Sequence, residues 1–175
     1  MNISNLPTIK SLADFLANAE FMVQESLEQY GQLADSMEMH NNPETAVQFR
    51  KLEHMEKQQL QWIEKQALKI TLPEIAPWDF TWNYHNDLAK ICLSDLDYLV
   101  NPAQALSAAL HNEYHSEEFY RQVAKQASDP AVTNLANELA DQQLKQIELL
   151  KQRLQALPKE AYESIEDMDP PNMPE

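Results

Sequence analysis

Apolar residues recur at helical spacing in four segments of the chain, and this pattern predicts four long helices. The predicted helices span residues 11–39, 43–69, 102–127 and 130–156. Three of them begin with an Asn or Asp directly before a proline, namely Asn42-Pro43, Asn101-Pro102 and Asp129-Pro130. Because proline is tolerated at the first helical position and Asn or Asp caps the free N–H groups, each signal marks a helix N-terminus. The pattern as a whole indicates an all-α fold.

The segment between the second and third predicted helices lacks this periodicity. Residues 70–101 contain two prolines and a group of aromatic side chains, Trp78, Phe80, Trp82 and Tyr84. A stretch of this length without a long helix predicts a crossover along the side of a bundle. We expect its aromatic side chains to seal the flank of the bundle or a dimer interface, with a ligand site or a partner surface as the alternative.

The chain length predicts one folded domain followed by a tail. With 175 residues, the chain is long enough for one hydrophobic core, which we place in residues 1–157. Residues 158–175 are acidic and rich in proline, and we expect them to be disordered or laid over the surface.

Composition and charge exclude several classes of function. A formal net charge of -15 argues against binding to nucleic acid or to an anionic membrane surface. The single cysteine, Cys92, excludes an internal disulfide and any cysteine-rich metal site. The N-terminal sequence lacks an apolar signal region, and no apolar run approaches the roughly 18 residues of a membrane span. We therefore expect a cytoplasmic protein.

Two acidic residues lie on apolar helix faces, where an unpaired charge is costly. In the third helix, Glu113 precedes Tyr120 by seven residues, so that both side chains share one face about 10 Å apart. In the second helix, Glu56 lies on the stripe that also carries Leu52 and Ile63. The pattern predicts that both acids face the interior and are either paired or bound to a metal.

The two halves of the chain resemble each other. Residues 29–34 match residues 119–124, and residues 52–59 match residues 139–146. Two such α-hairpins joined by a long crossover are typical of a ferritin-like antiparallel four-helix bundle. Over residues 11–156 the sequence resembles the rubrerythrin-like branch of the ferritin-like superfamily. Those proteins carry, twice over, Glu-x6-Tyr-x2-Leu-Ala in one helix and Phe-x2-Leu-Ala-x2-Glu-x2-His in the next.

The resemblance implies six ligand positions for two irons, and this chain keeps acids at two of them. The six positions hold Val23, Glu56, Gln59, Glu113, Gln143 and Gln146. Because a di-iron carboxylate site uses about four carboxylates and two imidazoles, we expect a metal-free polar layer instead. In that layer Glu56 and Glu113 would form hydrogen bonds with side chains of the same level, which are Tyr30, Gln59, Tyr120, Gln143 and Gln146. One weakly held metal and a working iron pair remain as alternatives, with Glu20 as a substitute ligand.

A second group of metal-binding residue types lies on the third helix. His111 and His115 share a face with Glu118, and this face points away from the predicted core. The metalloprotease pattern His-Glu-x2-His is absent, because Asn112 stands in place of the acid. We interpret the two histidines as solvated surface residues.

These observations predict a ferritin-like protein with a degenerate di-iron site that acts as a non-catalytic structural or interaction module. The alternative is an iron-dependent oxidoreductase of the rubrerythrin type with a remodelled site. The sequence identifies no particular cofactor, with iron as the alternative. The paired cysteines of a rubredoxin-like electron donor are absent from the sequence. A homodimer with the crossover at or near its interface is expected, because related bundles dimerise side by side, and an unidentified protein partner stays open.

Overall fold

The computed structural model describes residues 8–77 and 99–162, and four long helices dominate both ranges. They are α1 (Leu12–Met39), α2 (Pro43–Ala67), α3 (Pro102–Gln126) and α4 (Pro130–Gln155). The described ranges contain no β-strand, and none of their helices has the length and hydrophobicity to cross a membrane. The predicted all-α four-helix bundle is therefore confirmed, with bounds within two residues of those expected. The aromatic group from Trp78 to Tyr84 lies outside the described residues.

Each helix begins with a side-chain cap of the kind that the sequence signals. The cap is complete at α3, where the Gln104 backbone N–H donates to Asn101 Oδ1 at 2.8 Å and the Asn101 backbone N–H donates to Gln104 Oε1 at 3.0 Å. At α1 the Asp14 N–H donates to Ser11 Oγ at 3.1 Å. Because these bonds satisfy N–H groups that have no partner within the helix, they make the helix starts predictable from local sequence.

The helices form two antiparallel hairpins, α1 with α2 and α3 with α4, each closed by a short turn. The hairpins contact each other chiefly through α2 and α3. Beyond α4, residues Lys159–Tyr162 form a short 3-10 helix that contacts α3 and buries Ala161. The first residues of the predicted tail are thus packed against the bundle, whereas residues 163–175 lie outside the described ranges.

The bundle interior contains two apolar clusters, one toward each end. The cluster nearest the α1–α2 turn includes Phe49 and Leu106, and the cluster at the other end includes Phe15 and Leu139. All four helices contribute to both clusters. The arrangement leaves the middle of the bundle for the polar residues described below.

The single glycine, Gly31, faces a charged side chain of the neighbouring helix. A methyl group at this position would lie 3.2 Å from Glu53 Oε1 of α2, which is closer than ordinary van der Waals contact. The Glu53 carboxylate is held by Arg50, whose Nη1 donates to it at 3.0 Å and whose Nε donates to Glu38 of α1 at 2.9 Å. Gly31 therefore gives room to an ion-pair network that links α1 to α2. In the second hairpin, the matching position is Arg121.

Candidate functional site

A layer of buried polar side chains separates the two apolar clusters. It comprises Ser26, Glu56, Gln59, Asn112, Glu113, Ser116 and Gln143. Every helix contributes to the layer, and each contributing residue lies near the middle of its helix. Buried polar groups are costly unless they bond to one another or to a ligand, so this layer is the candidate functional site.

Two carboxyl groups from different hairpins meet in this layer. Glu56 of α2 and Glu113 of α3 are 3% and 1% exposed, and their side chains lie within hydrogen-bonding reach of each other. Burial raises the pKa of Glu113 to about 7, which the hydrogen bond to Glu56 partly offsets. Burial, followed by the charge of Glu113, raises the pKa of Glu56 well above its ordinary value. The pair therefore holds at least one proton at neutral pH.

In the part of the chain that the structure describes, the Glu113 carboxyl has Glu56 as its one hydrogen-bonding partner. Within residues 8–77 and 99–162, neither Glu113 oxygen accepts a hydrogen bond from an N–H group or from an alcohol or phenol hydroxyl. Two ionised carboxylates could not bond to each other, since neither would have a donor, whereas a protonated Glu56 can donate to Glu113. We expected glutamine and tyrosine side chains to donate to Glu113, and in this respect the structure differs. The two acids instead share a proton.

The glutamine side chains of the layer bond to one another rather than to the acids. Gln143 Nε2 of α4 donates to Gln59 Oε1 of α2 at 3.4 Å, a long and weak hydrogen bond. Among the described residues, Gln59 Nε2, Gln143 Oε1 and Gln146 Oε1 are buried without any hydrogen bond. Protein groups thus satisfy only part of the hydrogen-bonding capacity of these glutamines, and three of their amide atoms are left without a partner in the described ranges.

A second polar link, centred on Asn112, joins α3 to α1. Asn112 Nδ2 donates to Ser26 Oγ at 3.1 Å and to Tyr30 Oη at 3.3 Å, and Ser116 Oγ donates to the Asn112 carbonyl at 3.2 Å. Tyr30 was predicted to lie beside the acids, and Asn112 was not predicted in the layer. The available signal was the four-residue spacing of Asn112 and Ser116, which matches that of Ser26 and Tyr30. Tyr120, the repeat counterpart of Tyr30, packs edge-on against the Phe15 ring.

Helix α1 supplies no acidic side chain to the layer. Val23, at the position where the resemblance implies a glutamate, is 3% exposed and belongs to an apolar cluster. Glu20 lies half-buried beside Glu64 of α2, and its pKa is raised first by burial and then by the Glu64 charge. The structure therefore places Glu20 beside another acid, and among the described residues Glu20 does not form a three-residue metal-binding group with Glu56 and Glu113.

The donor set of the layer does not fit a pair of irons. Two divalent metals carry four positive charges, against two carboxyl groups that already share a proton. Among the described residues the layer contains no imidazole, and the neighbouring amides are weak ligands for a transition metal. Across the part of the chain that the structure describes, no group of three or more His, Cys, Asp or Glu is arranged to hold a metal ion.

Two antiparallel hairpins around a buried carboxyl pair at mid-height define a ferritin-like four-helix bundle. The chain is similar to a solved structure from Magnetospirillum magnetotacticum MS-1, which is described as an uncharacterised conserved protein. The two chains are 30% identical, and the alignment covers 85% of this chain and 97% of that one with a TM-score of 0.66. This chain belongs to the same conserved, ferritin-like family. No protein-family model matches the chain, and no curated protein is significantly similar to it.

Proposed function

We propose that this chain is a rubrerythrin-derived member of the ferritin-like class that has lost its di-iron centre and acts as a structural or interaction module. One observation carries the proposal: the mid-height layer offers Glu56, Glu113 and amide groups where two irons would need carboxylates and imidazoles. A buried Val23 at the remaining ligand position supports the same conclusion, because a hydrocarbon side chain cannot bind a metal.

The shared proton opposes metal binding. Before a cation can take both oxygens, the proton between Glu56 and Glu113 must leave, and burial has raised the pKa of both groups. Each pKa unit by which a carboxyl is raised above the ambient pH costs a competing metal about 1.4 kcal/mol. Binding must also break the hydrogen bond between Glu56 and Glu113. The layer is therefore better suited to a proton than to iron.

A second candidate function, a single-metal oxidoreductase, rests on the unsatisfied oxygens. In the described ranges both Glu113 oxygens lack an N–H or hydroxyl donor, and Gln143 Oε1 and Gln146 Oε1 are buried without a hydrogen-bond partner. Two carboxylates balance the charge of one dication, so a single metal with oxygen ligands would satisfy atoms that the protein leaves unpaired. This candidate and the metal-free module differ in a measurable quantity, the iron content.

The test is the iron content of protein purified from iron-supplemented cells, measured beside Glu113→Gln as the matched control. We expect less than about half an iron per chain and the same content in both proteins, because the layer lacks the required ligands. We also expect no oxygen- or peroxide-dependent iron oxidation above a protein-free blank. Stoichiometric iron that disappears in Glu113→Gln would overturn the proposal in favour of the single-metal enzyme.

A further inference from the structure

Two histidine rings converge on the outer face of α3. His111 is exposed and His115 is half-buried, and their Nε2 atoms lie 2.6 Å apart. The ring planes are inclined by 27° and the ring centroids lie 4.5 Å apart, so that the nitrogens are the nearest parts of the two rings. They line a surface concavity of about 380 Å³ together with Ser107, Leu110, Tyr114 and Glu118. The helix backbone brings the two ring nitrogens together, because residues four apart are neighbours on one face.

This pair is separate from the buried layer. Glu113 stands between the two histidines in sequence, yet its side chain is 1% exposed and lies inside the bundle, whereas His111 lies at the surface. A ligand bound to the histidine pair therefore contacts neither Glu56 nor Glu113. The histidine pair can therefore be tested separately from the proposed metal-free layer.

Two ring nitrogens at this separation need an electrophile between them. When one ring carries its hydrogen on Nε2 and the other does not, a proton fills this role, because the first Nε2–H can donate to the second Nε2. A metal ion can replace the proton, since neutral imidazole is the commonest metal ligand among side chains. We propose that His111 and His115 form a two-nitrogen chelate for a divalent late transition metal, with copper(II) favoured over zinc.

The preference for copper follows from the distance that the two nitrogens must span. Metal–nitrogen bonds of about 2.0 Å at a right angle, as in tetragonal copper(II), place the nitrogens about 2.8 Å apart. The tetrahedral angle of zinc places them about 3.3 Å apart, so the 2.6 Å pair must open considerably further for zinc. The general order of affinities for divalent metals also ranks copper above zinc.

The electrostatic surroundings favour a cation. The whole chain has a formal net charge of -15, which raises the local concentration of cations near its surface. Glu118 lines the same concavity and adds a carboxylate one turn beyond His115. Within residues 8–77 and 99–162 two imidazoles converge on the metal position, and water can supply further ligands.

The experiment is copper binding by equilibrium dialysis near neutral pH, with the full chain and four single variants. His111→Gln and His115→Gln each remove one ligand, and both are expected to weaken copper binding at least about tenfold. His54→Gln is the control, since His54 on α2 is exposed and faces Gln58 Nε2 at 3.1 Å in the same four-residue relation. Conversely, Gln58→His recreates the pair on α2 and is expected to add a second copper.

The expected result is one copper per wild-type chain, with nitrogen hyperfine splitting in the electron paramagnetic resonance spectrum. Zinc should bind at least about tenfold more weakly than copper. Equal copper binding by the wild type and His115→Gln would overturn the proposal. Failure of Gln58→His to gain a site would refute the spacing argument, and zinc binding as tight as copper would refute the assignment of the metal.

Discussion

Replacing Glu113 with glutamine is expected to stabilise the protein at neutral and alkaline pH and to change its stability little in acid. Glu113 is 1% exposed, and its pKa is raised from the ordinary value of 4.5 to about 7. The folded state therefore holds the proton more tightly than the unfolded state does. As the pH rises from 4.5 to about 7, the unfolded chain releases this proton first, so the free energy of unfolding falls across that window.

The magnitude follows from the difference between the two pKa values. A difference of about 2.5, at roughly 1.4 kcal/mol for each unit, gives a penalty of about 3 kcal/mol once the pH exceeds 7. At about pH 5 the same relation gives less than about 1 kcal/mol. Glutamine has a similar shape and no charge at any pH, so Glu113→Gln removes the penalty. The variant should gain about 2 kcal/mol over the wild type between these two pH values.

The assay is urea unfolding followed by circular dichroism between about pH 5 and about pH 8, in a buffer of constant ionic strength that contains a chelator. Urea is preferred to guanidinium chloride because it leaves the interactions between charges unscreened. Glu138→Gln, an exposed position on α4, removes the same formal charge and is the matched control. If the stability difference between Glu113→Gln and the wild type does not change with pH, the raised pKa and the shared proton are refuted.

Three further predictions concern other parts of the molecule. Gly31→Ala should lower the free energy of unfolding by about 1 kcal/mol, because its methyl group would lie 3.2 Å from the Glu53 carboxylate that Arg50 holds; an unchanged or higher value in urea unfolding would refute this role of Gly31. Asn112→Ala should lower it by about 1–3 kcal/mol, because Ser26 and Tyr30 lose a buried partner, and an unchanged value would contradict this role. Light scattering at micromolar concentration should return the mass of a homodimer, as the apolar crossover residues predict; a monomer mass would refute that expectation.

Local sequence was sufficient to predict the helices and their order. The caps at Ser11, Asn42, Asn101 and Asp129 act within three residues, so their chemistry is visible without knowledge of the fold. The inward position of Glu56 and Glu113 was equally predictable. Helical periodicity alone places a residue on the face that also carries the apolar side chains.

Pairing across helices could not be predicted in the same way. The periodicity placed Gln59, Gln143, Glu56 and Glu113 at one level, yet only the packed bundle decides that the amides bond to each other and the carboxyls to each other. The partner of a side chain depends on the rotation and separation of two helices, which are set by the packing of the apolar clusters on either side. For the same reason the role of Asn112 could not be predicted, since it depends on hydrogen bonds to Ser26 and Tyr30 of α1.

The sequence by itself determined which chemical groups the four helices place in the interior layer: two acids, several amides and, among the described residues, no imidazole. The identity of these side chains is enough to argue against a di-iron centre, because ligand charge and ligand type do not depend on exact geometry. The tertiary structure decided the protonation of the layer. The two carboxyl groups come into contact only when the two hairpins pack together. Burial then raises the pKa of both groups, so that a shared proton is favoured over two negative charges.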